Sequence, residues 1–320
     1  MAVKLNILVF GASGFIGSKL AKFLFGRGDI VYVLARVKAP GDFLIQRLSG
    51  SENGVGTFKI EDSIRYTGTN SLQSLHLDYL VHAACGLVPS SSKQDFFSEY
   101  VSLIEPSFSL IDSCCELSIP FVYLSSAGAI YGDSRFSLSE ESELKPGTFY
   151  GFSKYIVEQY VKRKHDAGLN YLILRPANVY GRNLDKVNST QGLIENSILS
   201  IMRSSPIKQF GYDPKFRDYL FVDDFIEVTT RLLDSMVLNQ TFNIGSGHLV
   251  EVNKVIEMIY EILKKEPDIL ITEERSFDKT VVDIDVSKMN KLVPYRPLGI
   301  YEGLSKYISQ FDKNNFETTG

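Results

Sequence analysis

The chain has 320 residues, 44% of them hydrophobic and 22% charged, with a formal net charge of −4. This fits a globular protein with one large domain or two smaller ones, and the acidic balance excludes a general nucleic-acid surface. The opening MAVKLNILVFGASG has too short an apolar run for a membrane span and lacks the small-residue cleavage site of a signal peptide.

In chain order, LNILVF predicts a buried strand and FIGSKLAKFLFGRG a helix stopped by glycine. IVYVLAR predicts a second strand, and SLQSLHLDYLVHAA a short helix followed by a strand. YVSLIEPSFSLIDSCCELS predicts a helix with Pro106 in its first turn, PFVYLSS a strand, and YGFSKYIVEQYVKRKHDAG a long helix. LNYLILRPANVYG follows as strand and loop. Strands alternating with helices imply an α/β fold, a Rossmann-type doubly wound parallel sheet covered on both faces. After Gly181 the pattern loosens into a smaller C-terminal lobe. We therefore expect a dinucleotide-binding domain over 1–181, with 218–245 packing back on it, and a substrate-binding lobe over 182–320. The tail DKNNFETTG reads as frayed.

Cys85, Cys114 and Cys115 form no disulfide framework, since adjacent cysteines are poorly placed to bond to each other. Reduced thiols in a cytoplasmic protein are expected. His76, His82, His165 and His248 have no ligand spacing, so no metal site is expected.

GASGFIG places Gly11, Ser13, Gly14, Phe15, Ile16 and Gly17 between a strand and a helix. Gly11 permits the tight turn, Gly14 lets backbone approach a pyrophosphate, and Gly17 lets helix and strand lie close. In this context the pattern points to dinucleotide binding. NAD enzymes usually carry a carboxylate at the end of the second strand, but VLARVK offers Arg36 and Lys38. A guanidinium suits a 2′-phosphate, so NADP(H) is favoured over NAD. Asp29 reads as a turn residue.

YGFSK puts Tyr150 and Lys154 one helical turn apart on one face. A nearby ammonium lowers the pKa of a phenol, which can then exchange a proton with a sugar oxygen while a nicotinamide moves a hydride.

Glycine turn, serine-ended strand and Tyr-x-x-x-Lys, in that order, resemble the extended short-chain dehydrogenase/reductase family, in particular its nucleotide-sugar epimerases, dehydratases and reductases. The resemblance covers nearly the whole chain. It implies that LVHAAC brings Ala83 and Ala84 to the cofactor, and that LRPANVYGR carries Asn178 to the phosphates of a nucleoside-diphosphate sugar. It also implies that Arg217, in QFGYDPKFRDYLFVDD, and Arg275 bind the diphosphate, as paired guanidiniums can. FNIGSG and DIDVSKMNKLVPYRP match later landmarks. A homodimer through the helix at Pro106–Leu117 and the helix after Tyr150 is a further implication.

The chain departs from the family pattern in several places. Where a catalytic Ser or Thr is usual stands Ala127, and Ser126 is the nearest hydroxyl; we expect Ser126 to orient the substrate oxygen. The asparagine common near Tyr100 is absent, as is the aspartate after the third strand, where IRYTGTN stands. Gly128 and Ala129 replace the proton-moving pair of the dehydratases. The expected activity is a 4-keto nucleotide-sugar reductase, with a 4-epimerase next and a dehydratase or a non-catalytic dinucleotide sensor behind.

Overall fold

The computed structural model of the chain describes residues 4–37, 42–52, 57–134, 136–182, 184, 192–275 and 279–311. Lys38, residues 183 and 185–191, and the tail 312–320 lie outside the described residues.

Strand β1 (Asn6–Phe10) has its last four residues buried, and it feeds α1 (Phe15–Arg27), which Gly28 ends in a left-handed conformation. β2 (Ile30–Arg36) lies parallel to β1. The next two strands are not apparent from the sequence. β3 (Phe43–Glu52) folds back antiparallel along β2, pairing Arg36 with Phe43, and β4 (Thr57–Arg65) is antiparallel to β3. Residues 37–42 are too few for the helical crossover that a parallel neighbour requires, so this edge departs from the parallel expectation.

The chain then forms α2 (Thr69–Gln73), β5 (Tyr79–His82) and α3 (Lys93–Glu99), the last started by a reciprocal capping box between Ser92 and Asp95. α3 runs through a π-helical turn, Tyr100–Ile104, into α4 (Glu105–Glu116). Pro106 stands second in α4, two residues past that turn, and a proline has no N–H to continue an α-helical ladder. Next come β6 (Phe121–Leu124), α5 (Ala127–Ile130), α6 (Phe149–His165), β7 (Tyr171–Pro176) and β8 (Asn178–Tyr180). The remainder is α7 (Leu193–Met202), β9 (Ile207–Phe210), β10 (Phe216–Phe221), α8 (Val222–Asp234), β11 (Gln240–Ile244), β12 (Leu249–Glu251), α9 (Val252–Leu263), β13 (Ile269–Thr272), β14 (Val281–Val282), α10 (Ser287–Leu292) and α11 (Ile300–Ser309).

Two compact units result. The first comprises 1–130, 144–175 and 226–242, and the second 131–143, 176–225 and 243–320. The sequence reading put the break after Gly181 with 218–245 returning to the first domain; in the structure 226–242 belong to the first unit. Two segments before Gly181 belong to the second unit: Leu138 bridges Ile284, and β8 pairs with β10.

The first unit is built on a sheet ordered β11-β7-β6-β5-β1-β2-β3-β4, parallel from β7 through β2. Leu8, Phe10, Leu80, Phe121, Tyr123, Val157 and Ile173 form its core. Within it Arg175 makes two bonds to Glu158, at 3.0 and 2.7 Å, and both side chains are wholly buried. In the second unit β10 is flanked by β12 and β14 and also pairs with β8. Tyr180, Phe221 and Tyr307 cluster there with ring centroids 5.4–6.5 Å apart. No helix among the described residues is long and apolar enough to cross a membrane.

Candidate active site

The site builds from the C-terminal ends of the first unit's parallel strands. Gly11, at the end of β1, has φ +92°, a region L side chains rarely adopt. A Cβ there would stand 2.5 Å from the Ala84 nitrogen and 2.7 Å from the Ala83 carbonyl carbon. A Cβ on Gly17 would collide with the Gly11 oxygen. The turn closes through the Gly14 N–H to Gly11 O at 2.9 Å, and α1 begins at once, with Phe15, Ile16 and Gly17 in its first turn and Ser13 exposed just before it. Ala83 and Ala84 follow β5 and form the opposing wall. This narrow, side-chain-free cradle at a helix N-terminus fits the pyrophosphate of a dinucleotide.

Arg36 ends β2 exposed, with no ion pair among the described residues. The carboxylate of Asp42, just across the hairpin, is held by Arg65 at 2.9 and 2.7 Å. Asp29 is the turn residue it was expected to be: it accepts from Leu5 N–H and pairs with Arg27 at the other end of β2.

Tyr150 and Lys154 stand on α6, whose start is fixed by Thr148 accepting from Gly151 N–H at 3.0 Å. Lys154 is buried and donates to Leu124 O at 2.8 Å; its Nζ lies 6.0 Å from the Tyr150 ring centre. Burial raises the Tyr150 pKa above the ordinary phenol value, while the Lys154 charge and a hydrogen bond with Ser126 act to lower it. Ser126 is the hydroxyl whose neighbourhood bears on the phenol. Beyond β6 the chain turns into α5, and Ala127, the first residue of that helix, is fully buried.

Two groups that sequence reasoning left aside border this centre. Burial, with the Lys154 charge adding to it, pushes His82 down to about 3, so its imidazole stays neutral. His82 Nε2 meets Ser107 Oγ at 2.7 Å, and because Ser107 donates its proton to Leu103 O, His82 is the donor. Cys85 reaches the surface, yet neighbouring atoms crowd its thiol and raise its pKa, while Lys154 and Glu99 pull it in opposite directions. No sequence spacing announces either group.

The other predicted residues belong to the second unit. Asn178 lies on a short strand and donates to Asp218 O at 3.1 Å. Arg217, on the neighbouring β10, directs its guanidinium to the carbonyls of Phe216, Lys279 and Thr280. Arg275 stacks on Phe210, 4.1 Å from the ring centre. Lys279 was not foreseen: burial and the Arg217 charge lower its pKa against Asp133, so two cations share this region. Asp218, buried, holds the turn of the FNIGSG motif by accepting from Ser246 and Gly247 N–H. Among the described residues no three His, Cys, Asp or Glu side chains are grouped to hold a metal.

Comparison with known proteins agrees with this geometry. Residues 7–245 match the model of the NAD dependent epimerase/dehydratase family. The chain is similar to the dTDP-4-dehydro-6-deoxyglucose reductase of Escherichia coli, 27% identical over 96% of this chain and 98% of that one. It is 24% identical to an ADP-L-glycero-D-manno-heptose-6-epimerase of Pseudomonas aeruginosa over 82% and 80% of the two chains. Among solved structures, the UDP-glucose 4-epimerase of Thermotoga maritima with UDP-glucose superposes with a TM-score of 0.81 at 26% identity, covering 97% and 99% of the two chains. Glycine cradle, Tyr150–Lys154 pair and overall match together show that the chain belongs to the NAD-dependent epimerase/dehydratase family, the nucleotide-sugar branch of the extended short-chain dehydrogenases/reductases.

Proposed function

We propose that the protein is an NADPH-dependent reductase of a 4-keto nucleoside-diphosphate sugar. The observation that carries this reading is the placement of the Tyr150 phenol, its ring centre 6.0 Å from the buried Lys154 Nζ, in surroundings that raise its pKa and so favour the protonated form. A protonated phenol suits donation to a carbonyl oxygen as it is reduced. The relative that acts on a dTDP-4-dehydro-6-deoxy sugar supports this substrate class, and exposed Arg36 supports a 2′-phosphate.

When bound, the cofactor supplies a hydride to the sugar C4. Ser126 orients the C4 carbonyl oxygen, and Tyr150 delivers its proton there, giving the 4-hydroxyl and NADP⁺. Lys154 holds the ribose and stabilises the phenolate that remains until solvent reprotonates it. Arg217, Lys279 and Arg275 offer positive charge to the diphosphate, and Asn178 a donor amide. Gly128 and Ala129 carry no acid or base, which argues against dehydration.

The test is NADPH consumption dependent on a 4-keto-6-deoxy sugar nucleotide. We expect Tyr150→Phe to lower kcat by about 10²–10⁴-fold and Ser126→Ala by about 10²-fold, with dinucleotide affinity retained. Tightly held NAD and reversible inversion of a UDP-hexose without net NADPH consumption would replace this reading with a 4-epimerase. Exposed Phe97 on α3, Val101 on the π-helical turn and Phe152 on α6 offer an apolar face beside the helices through which two copies would pair, which sedimentation would test.

A further inference from the structure

We infer that Glu99 is a positioning residue for the dinucleotide: its carboxylate pins the turn after β5, and the π-helical turn that succeeds Glu99 aims it there. This rests on the cofactor reading above. Gly86 N–H donates to Glu99 Oε1 at 2.5 Å, a short bond to a charged acceptor. A Cβ on Gly86 would stand 2.8 Å from Glu99 Oε2, so the carboxylate and the turn are in close contact.

The turn is the wall of the cofactor cradle. Ala83 is hydrogen-bonded to Phe10 O, and Ala83 and Ala84 face Gly11 at the distances given above. Past Ala83, Leu87 is packed into the core with Ala84 against it, and the Cys85 thiol lies beside Ser153. Among the described residues, Glu99 is the one side chain from outside the turn that bonds main-chain groups of residues 84–87. The Cys85 thiol, one residue before Gly86, feels both the Lys154 and the Glu99 charges, so the pinned segment borders the reacting centre.

The helix carrying Glu99 is fixed by a second tie. Ser107, on α4, is bonded to His82 at the end of β5. Between the two ties lies the turn Tyr100–Ile104, where Glu105 N–H reaches back to Tyr100 O. One extra residue in a helix rotates the turns before it by about 100° relative to the turns after it. With α4 anchored through Ser107, that rotation decides which side chain of α3 meets Gly86. The sequence lacks the asparagine common near Tyr100, and Glu99 supplies a polar group at this place instead.

The experiment compares Glu99→Ala and Glu99→Gln with wild type, after circular dichroism has shown that all are folded. Hydrogen exchange of the peptide covering residues 83–88 is followed without nucleotide, and NADPH and NADH dissociation is followed by fluorescence after trapping. In Glu99→Ala we expect exchange of the Gly86 amide and nucleotide release each to speed up by about 10-fold. Glu99→Gln keeps an acceptor oxygen and should stay within about 3-fold of wild type. Unchanged exchange and release in Glu99→Ala overturn the inference alone, as does a glutamine variant as impaired as the alanine one. Wild-type protein that binds neither nucleotide overturns the cofactor reading and this inference with it.

Discussion

At the scale of single residues, the site runs on the contest between burial and charge at Tyr150. Burial raises its pKa, and Lys154 and Ser126 oppose the rise. Reduction requires the phenol protonated, so its rate should be flat through neutral pH and fall only at alkaline pH, as the proton is lost. Removing the opposing charge in Lys154→Met raises the phenol pKa further. The falling limb should then move to higher pH while kcat drops, and pH–rate profiles of the two proteins check this. Arg36 presents a separate test. Arg36→Asp places a carboxylate where a 2′-phosphate would sit. Its KM for NADPH should rise at least about 10-fold, the loss of one charge-assisted bond, with little change for NADH. Equal effects on both cofactors would show that Arg36 does not face the 2′ position.

At the scale of elements, α6 holds both the candidate pair Tyr150–Lys154 and the buried Glu158 that meets Arg175 on β7. Glu158→Gln leaves a buried guanidinium without its counter-charge, which should cost about 3–5 kcal/mol of stability in urea unfolding. The double change Glu158→Leu with Arg175→Met should recover most of that loss. These elements also show what a sequence can disclose. The glycine turn and Tyr150–Lys154 are legible because their partners lie within one turn of chain, so spacing encodes contact. Ser126 was read as the hydroxyl nearest Ala127, and Ser126→Ala tests that reading. Glu99 and Lys279 were not legible, because Gly86 and Arg217 reach them only through the fold. The π-helical turn has no composition of its own; Pro106 hinted only at a helix start. β3 and β4 escaped notice because FLIQRLSGSE and TFKIEDSIR mix serine, charge and apolar residues without clean alternation.

At the scale of the whole molecule, the cofactor cradle belongs to one compact unit and the candidate phosphate cations to the other. Ligand linkage reports on the cradle directly. At about 100 times its Kd, a nucleotide that binds only the folded state adds about 2.7 kcal/mol. Thermal unfolding should therefore shift upward with NADPH, and less with NADH at equal concentration. No shift with either would mean that the cradle does not bind a dinucleotide.

The antiparallel rim also bears on how the chain finds its fold. The β1–β5 partnership brings together Ile7 and Tyr79, whereas β2, β3 and β4 zip through short connections. Closing a short loop forfeits less chain entropy than closing a long one. In pulse-labelled refolding, amides of residues 30–52 and 57–65 should gain protection before those of β5. The sheet would then grow inward from its border, with the nucleotide cradle among the last parts to take shape.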